Sequence, residues 1–447
     1  MNRKFYILGA LAIASSLTMA QLPSYDKSSV NEFETPKATT EKFEKVKLNI
    51  GGGFNQSFQA LSHSNTAAPK IQYTETRSVK ADGVTIDSKI TSTNANQLIA
   101  IGTGFNTAVA NLNLDLHLAE GVYMNMELYL SSRHHNETWV KGGYIRFDKL
   151  PFLKSEFLDN IMKYTTVKVG HMEINYGDAH FRRTDNGNGM RNAFVENLIM
   201  DAFTTEIGAE IDVMHNGFLG SVSVTNGMIN GRPLVQPEIA GVSDGKADPA
   251  FIGKLGYDKQ FTSDFRGRLT GSVYHTSGSN ANTLYGGDRA GSHYYGVMDN
   301  ALSTSTFTSG RMNPGFGDKV TAMMGNLFLK YKGLESFTTI ESASGRGRTE
   351  ATGDRAASQI ATELIYRFGK CEQFWLGGRY NVADMRLAGY ADDVTVDRIA
   401  VSAGWYVTKN IMAKAEYVTQ NYKGFNASDI RNGGNFEGLA VQAIVGF

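Results

Sequence analysis

The chain is poor in the residues that tie a fold together or break it up. One cysteine stands among 447 residues, so no internal disulfide can form, and Cys371 sits in no thiol or metal-ligand pattern. Proline numbers only 8, and no linker or shift in composition divides the chain after residue 45, which favours one continuous domain. Charge of one sign is missing too. Lys plus Arg and Asp plus Glu each count 44, which offers no field to a nucleic acid, and none is expected as a partner. After the first twenty residues no run approaches the ~18 apolar residues of a membrane helix. If the mature chain spans a membrane, it must do so as a closed barrel, because only helices and closed barrels satisfy their backbone groups in lipid.

What the chain has in quantity is glycine, 48 residues, with 20 Tyr and 25 Phe in a sequence that is polar on average. At the start, Asn2, Arg3 and Lys4, the apolar stretch Phe5 to Leu17, and then Thr18, Met19 and Ala20 match the three regions of a secretory signal, with cleavage before Gln21. A retained anchor is the competing reading, which the shortness of the apolar stretch disfavours. No cysteine follows the cleavage site, as a lipoprotein would need. Residues 21–45, rich in Ser, Thr, Lys and Glu without periodicity, read as a flexible periplasmic leader.

The pattern is plainest from Asn111 to Ser131, NLNLDLHLAEGVYMNMELYLS. Leu112, Leu114, Leu116 and Leu118 share one face, against Asn111, Asn113, Asp115 and His117. After a turn at residues 119–121, Val122, Met124, Met126, Leu128 and Leu130 share a face against Tyr123, Asn125, Glu127 and Tyr129. This is a hairpin with strands long enough to cross a bilayer at a tilt. Strands of the same kind are expected near 46–60, 138–148, 165–174, 204–214, 218–225, 249–258, 265–275, 320–331, 334–342, 358–368, 374–383, 395–407, 411–420 and 436–447. With the hairpin they make sixteen. Their connections alternate between short turns and long polar loops, 61–105, 176–203, 227–248, 276–319, 343–357 and 421–435. The exception on the short side is 149–164, which has room for a short helix. The predicted fold is all-β: a transmembrane antiparallel β-barrel of about sixteen strands over 46–447, with short periplasmic turns and long extracellular loops. Phe147, Phe218, Tyr257, Phe265, Tyr331, Phe368, Phe374, Trp405 and Phe447 fall on outward faces at the short-turn ends, as an interfacial girdle would. In a soluble sandwich they would instead be core residues at strand ends.

The last segment, Leu439 to Phe447, LAVQAIVGF, resembles the closing strand of outer-membrane barrels, which ends on an aromatic residue read by the assembly machinery. With the signal, it points to the outer membrane of a Gram-negative cell. Val167 to Asp178, VKVGHMEINYGD, preceded by Gly143 to Phe147, is similar to the strand and glycine turn before the inward loop of the phosphate-selective porin family and its Bacteroidota relatives. The resemblance implies a porin and a homotrimer. The lysines and tyrosine series of the phosphate-selective members have no counterpart placed here, so phosphate selectivity is not implied.

In sixteen-stranded porins the third outer loop folds inward and narrows the pore, so residues 176–203 are expected to form the constriction. Asp178, His180, Arg182, Arg183, Asp185 and Arg191 would set opposite charges across a narrow passage and favour small dipolar solutes. The alternatives are a solvated surface loop with internal ion pairs, or calcium binding by residues 185–189, for which a full ligand pattern is lacking. Pore-lining charges are expected on two unlike walls. Strands one to seven give Asp115, Glu127, Asp148, Glu206, Glu210 and Asp212 against Lys47, Arg146 and Lys168. Strands eight to sixteen give Lys254, Arg266, Arg268, Lys330, Arg367, Arg379, Arg398 and Lys414 against Asp258, Glu363 and Glu416, with Glu335 and Glu341 on a strand of uncertain parity. A water-filled channel would use such a field, and a plugged barrel could answer the same charges with its plug.

No enzyme is expected: His117, His171, His180, Ser221 and Asp212 make no nucleophile set, and Gly51 to Gly53 lack the Lys-Ser/Thr of a phosphate loop. No cofactor or metal is called for. The leading expectation is a porin for passive diffusion of small hydrophilic solutes or ions, with outer-membrane lipid around it. The alternative is a non-conducting barrel that binds other outer-membrane proteins through loops 61–105 and 276–319. A substrate-specific channel is the third class, in which one solute would block the current and substitution of Arg182 and Arg183 would abolish the block.

Overall fold

The computed structural model describes residues 24–447 except 38–41, 80–85, 132–137, 232–237, 240–244, 246, 301, 303–308 and 351–352; the expected signal peptide lies outside the described residues. Sixteen strands form the wall: β1 (Lys47–Ser64), β2 (Val109–Ala119), β3 (Val122–Ser131), β4 (Thr138–Phe147), β5 (Thr165–Glu173), β6 (Thr205–His215), β7 (Phe218–Thr225) and β8 (Ala250–Gln260) make one half. The other half is β9 (Phe265–Thr276), β10 (Lys319–Tyr331), β11 (Leu334–Arg346), β12 (Arg355–Phe368), β13 (Phe374–Met385), β14 (Val394–Tyr406), β15 (Ile411–Lys423) and β16 (Asn435–Gly446). Each is antiparallel to its neighbours.

The first strand closes the ring by serving two partners. Lys47 to Asn55 pair with β2, and Gly53 to Ser64 pair with β16, so β1 runs longer than the alternation alone indicated. The terminal Phe447 exchanges backbone hydrogen bonds with Gly52 at 2.9 and 3.0 Å, which holds the chain end in the seam. Closure removes the free edges that an open sheet would present to lipid.

The period of two then sorts the wall into two surfaces. Leu48, Ile50, Val222, Leu255, Leu269, Ile340, Leu364 and Val401 are exposed on the outside, while Glu210, Lys254, Asn326, Gln359 and Arg398 are buried within. The girdle forms at the short-turn end, where Phe218 lies against Tyr257 at 4.7 Å and Phe374 stacks between Phe368 at 5.7 Å and Trp405 at 6.0 Å. In the 149–164 connection a helix, Glu156–Met162, continues the girdle: Ser155 caps it, and Phe152 meets Phe147 edge-on at 6.2 Å. Because Leu114 is at the middle of β2 and faces out, Leu114→Arg should cost ~2–4 kcal/mol in urea unfolding from lipid vesicles, while a change of that size at inward Asn113 would contradict the sorting.

Two segments depart from expectation in the wall and on its outer side. The stretch 61–105, read as a loop, holds a separate hairpin, Ile71–Val79 paired with Ile86–Asn94, and a two-residue strand, Gly104–Phe105, on β1. Its Ile71, Tyr73 and Ile90 are exposed and spaced by Gln, Thr and Lys, which weakened the strand signal. In β4 the register shifts, so that Glu127 faces Gly142 but Leu128 faces Val140. Lys141 is the extra residue of a bulge, and the bulge turns it inward against simple parity.

Candidate functional site

The connection between β5 and β6 turns off the wall at Gly177, whose φ of +70° suits glycine, and it crosses the lumen. Asp178 fixes the crossing on one side. Its carboxylate takes two hydrogen bonds from Arg268 at 2.7 and 2.8 Å and one from Thr270 at 2.7 Å, with Lys254 at 2.6 Å. Burial opposes its charge, but Lys254 and Arg268 outweigh burial and hold the carboxyl well below the ordinary range. On the far side the backbone of Gly187 lies directly on β1, where a Cβ added at Gly53 would stand 2.8 Å from the Gly187 carbonyl. The glycines at 51 to 53 thus serve close packing.

The other expected constriction residues are spent on partners. His180 bonds Glu173 at 2.6 Å, yet burial keeps the imidazole below its ordinary pKa, so it enters as a neutral group at pH 7. Arg182 reaches Asn31 and Glu363 and lies over the rings of Phe328 and Phe337. Arg183 pairs with Asp201 at 2.6 Å over the Phe203 ring, Asp185 is held by Lys141 and Tyr129, and Arg191 donates to Ser29 at 3.2 Å. With Asp185 so engaged, the 185–189 turn offers a cation no free carboxylate. Among the described residues no group of three His, Cys, Asp or Glu is arranged for a metal.

The basic wall is covered rather than open, which corrects the expectation of a charged face bathed in water. Lys414 donates to the carbonyls of Asn192 and Phe194 at 3.0 and 2.6 Å, Arg379 to Glu196 at 2.7 Å, and Arg398 to Asn197 at 2.6 Å. Glu416 accepts from the Val195 amide at 2.8 Å. Carbonyls of an irregular loop need donors once water is excluded, and the wall supplies them. Arg367 and Lys330 share Glu335 at 2.8 and 3.1 Å, and Arg266 pairs with Asp258 at 2.7 Å. Glu335 and Glu341 both face in.

Described residues of the loop 276–319, a contact surface in the non-conducting alternative, fold inward as well. Tyr285 donates to Glu341 at 2.8 Å, Tyr294 to Glu416, and Ser292 and the His293 amide to Glu196 at 2.8 and 2.6 Å. Burial of its Leu284, Tyr285, Tyr294 and Val297 is the reason it turns in. Burial, reinforced by Asp185, lifts its Asp288 carboxyl to about 6.

Residues 24–37, within the stretch expected to be a flexible leader, instead form a strap inside the short-turn mouth. Tyr25 lies where a Cβ on Gly51 or Gly446 would collide with it. A helical turn, Lys27–Ser29, follows with Asp26 as its cap, and Lys27 reaches Cys371 and Lys409. Asn31 bonds Glu335 at 2.6 Å, Glu34 pairs with Lys254 and Arg268 at 2.9 and 2.7 Å, and Lys37 meets the Asp148 carbonyl at 2.7 Å. The polar composition that suggested disorder supplies the partners that an ionic lumen requires.

Space remains along the acidic wall. There Asp115 accepts from Asn125 at 2.7 Å, Glu127 pairs with Lys141 at 3.0 Å, and Lys168 bridges Glu210 and Asp212 at 2.7 and 2.9 Å. Glu206 bonds Thr225 and Tyr274. A cavity of ≈ 180 Å³ lies between this wall and the loop, touched by Glu127, Lys141, Tyr144, Lys168, His171 and Glu210. On the basic side, between Arg182, Gln359, Glu363 and Arg379, the void is ≈ 20 Å³, little more than one water can use.

The sequence matches no protein-family model and no curated protein. Solved structures of similar fold include the anion-selective porin from Comamonas acidovorans, 10% identical over 90% of this chain and 100% of that one, TM-score 0.48. The outer membrane channel DcaP of Acinetobacter baumannii is 11% identical over 92% and 100%, also at 0.48. OmpF of Salmonella typhi in complex with daunomycin is 10% identical over 90% and 97%, again at 0.48. At that identity the likeness concerns the barrel alone, and what those proteins carry is theirs.

Besides Glu34 of the strap, Lys141 and Glu173 are among the charged lining residues that sequence reasoning missed. Parity marked neither of these two, since a bulge reverses the first and the second closes a strand. The signal was indirect: Gly142 and Gly143 follow Lys141, and paired glycines in a strand often mark a bulge.

Proposed function

We propose that the chain is a porin-type channel of the cell outer membrane, through which small hydrophilic solutes or ions diffuse along the β2 to β6 wall. The observation that carries this reading is the cavity on that side of the loop, lined by carboxylates and cations in near balance: Glu34, Glu127, Glu173, Asp185 and Glu210 against Lys141, Lys168, Arg183 and Arg191. Such a lining accepts ions and dipolar solutes and rejects apolar ones. One carboxylate in excess gives a weak preference for cations. Descent shared with the phosphate-selective porins and their Bacteroidota relatives, and a trimeric assembly, belong to the same proposal. Arg182, with its ion pairs, acts as a strut of the loop rather than as a contact for a passing solute, whereas Arg183 both braces the loop and lines the path.

Planar-bilayer recording of the purified chain tests it. Small, steady conductance steps are expected, and Glu127→Gln combined with Glu210→Gln should move the reversal potential toward anions; a folded protein whose selectivity ignores both changes rules this path out. The second reading, a non-conducting barrel that serves as a partner within a larger envelope assembly, is favoured by the packing of two loops and a strap into the lumen. Silence from protein with full heat-modifiable migration would decide for it.

A further inference from the structure

The strap sits in its mouth as a ligand sits in a pocket. Of its residues, Lys27 alone makes a backbone-to-backbone hydrogen bond to the barrel among those described, and the rest of the attachment runs through side chains. Phe33 is buried edge-on against Phe181 at 5.8 Å and Phe328 at 5.4 Å, with Phe337 completing the cluster. The guanidinium groups of Arg268 and Arg266 lie over the same ring at 4.2 and 5.3 Å. One residue further, the Glu34 carboxylate takes Arg268 at 2.7 and 2.8 Å and Lys254 at 2.9 Å.

Charge in this corner balances only with the strap in place. Lys254, Arg266 and Arg268 are three cations, and Asp178, Asp258 and Glu34 are the three carboxylates they pair with. Withdrawing Glu34 leaves three cations to two carboxylates, with the Lys254 and Arg268 side chains buried, next to an aromatic box vacated by Phe33. A buried cation without a counter-charge is costly, so the emptied pocket calls for an anion.

We propose that the pocket formed by Phe181, Phe328, Phe337, Lys254 and Arg268 is a binding site for small solutes that join an aromatic group to a carboxylate, and that Phe33 and Glu34 are its tethered occupant. The site opens to the periplasmic mouth and borders the cavity along the β2 to β6 wall, which Phe33, Glu34 and Phe181 also line. It is independent of whether the barrel conducts.

Calorimetry on detergent-solubilised protein tests it, with the amide of the dipeptide N-acetyl-phenylalanyl-glutamate as probe. The intact chain should bind the probe at least tenfold more weakly than the full-length variant carrying Phe33→Ala and Glu34→Gln, in which the strap has lost its anchors. A synthetic peptide of residues 24–37 should displace the probe from that variant, and the phenylalanyl-glutamine probe, which lacks the side-chain carboxylate, should bind about tenfold more weakly, a difference of about 1.4 kcal/mol. Arg268→Gln added to the variant should weaken binding likewise. A heat-modifiable, folded variant that binds neither probe nor peptide overturns the proposal, as does equal affinity for the two dipeptides. Conductance is not read in this experiment, so its failure leaves the channel standing and a silent channel leaves the site standing.

Discussion

A chain lacking residues 24–37 is expected to conduct severalfold better than the intact protein, with selectivity moved toward anions. The strap is fastened at points around the rim of the mouth, from the β14–β15 turn through Glu335 on β11 and Arg268 on β9 to the carbonyl of Asp148 beyond β4. None of these attachments belongs to the sheet ladder, so the barrel loses no strand pairing when the strap is deleted. The mouth then gains both width and charge. Lys254, Arg268 and Arg182 lose Glu34 or Asn31 as partners, and the three cations raise the local concentration of anions in a narrow, low-dielectric passage. Single-channel recording gives the conductance, and the reversal potential in a salt gradient gives the selectivity. Unchanged conductance in a folded deletion variant would mean that the strap is not in the conducting path.

The architecture was legible because lipid and water impose opposite demands on alternate residues. The alternation alone assigns Leu112 to Leu118 to the outer face, and with the turns at 216–217 and 332–333 it fixes which end each aromatic of the girdle from Phe147 to Trp405 occupies. The lumen was less legible for a physical reason. An inward charge looks the same in sequence whether it meets water or a loop carbonyl, so Arg379, Arg398 and Lys414 read as pore lining although they hold Asn192 to Asn197. The polar leader misled in the same way, because a segment that packs against an ionic lumen needs the Ser, Asn, Lys and Glu that also mark disorder. The loop 276–319 did carry a usable sign. Its run of tyrosines and apolar residues is out of place on a solvated surface and fits one that is buried.

Asp178→Ala is expected to release the first turn of the lumenal loop, at a cost of ~3–5 kcal/mol, the range for removing one partner of a buried ion pair. The carboxylate joins Lys254 on β8 and Arg268 and Thr270 on β9 to the start of the loop, and its loss leaves Lys254 and Arg268 with Glu34 and, for Arg268, Asp258. Asp178→Asn should cost less, because the amide oxygen still accepts from Thr270. Pairing Asp178→Ala with Arg268→Met removes charge from both sides and should recover a large part of the loss, which separates an ion-pair role from simple loss of volume. The wall has its own hydrogen-bonded ladder, so the effect concentrates in the loop: limited proteolysis within residues 174–204 should accelerate well before urea unfolds the strands. Protease resistance of the Asp178→Ala variant equal to that of the intact protein would show that the loop is held by its other partners, Arg379, Arg398 and Lys414 among them, and that the Asp178 cluster serves the strap instead.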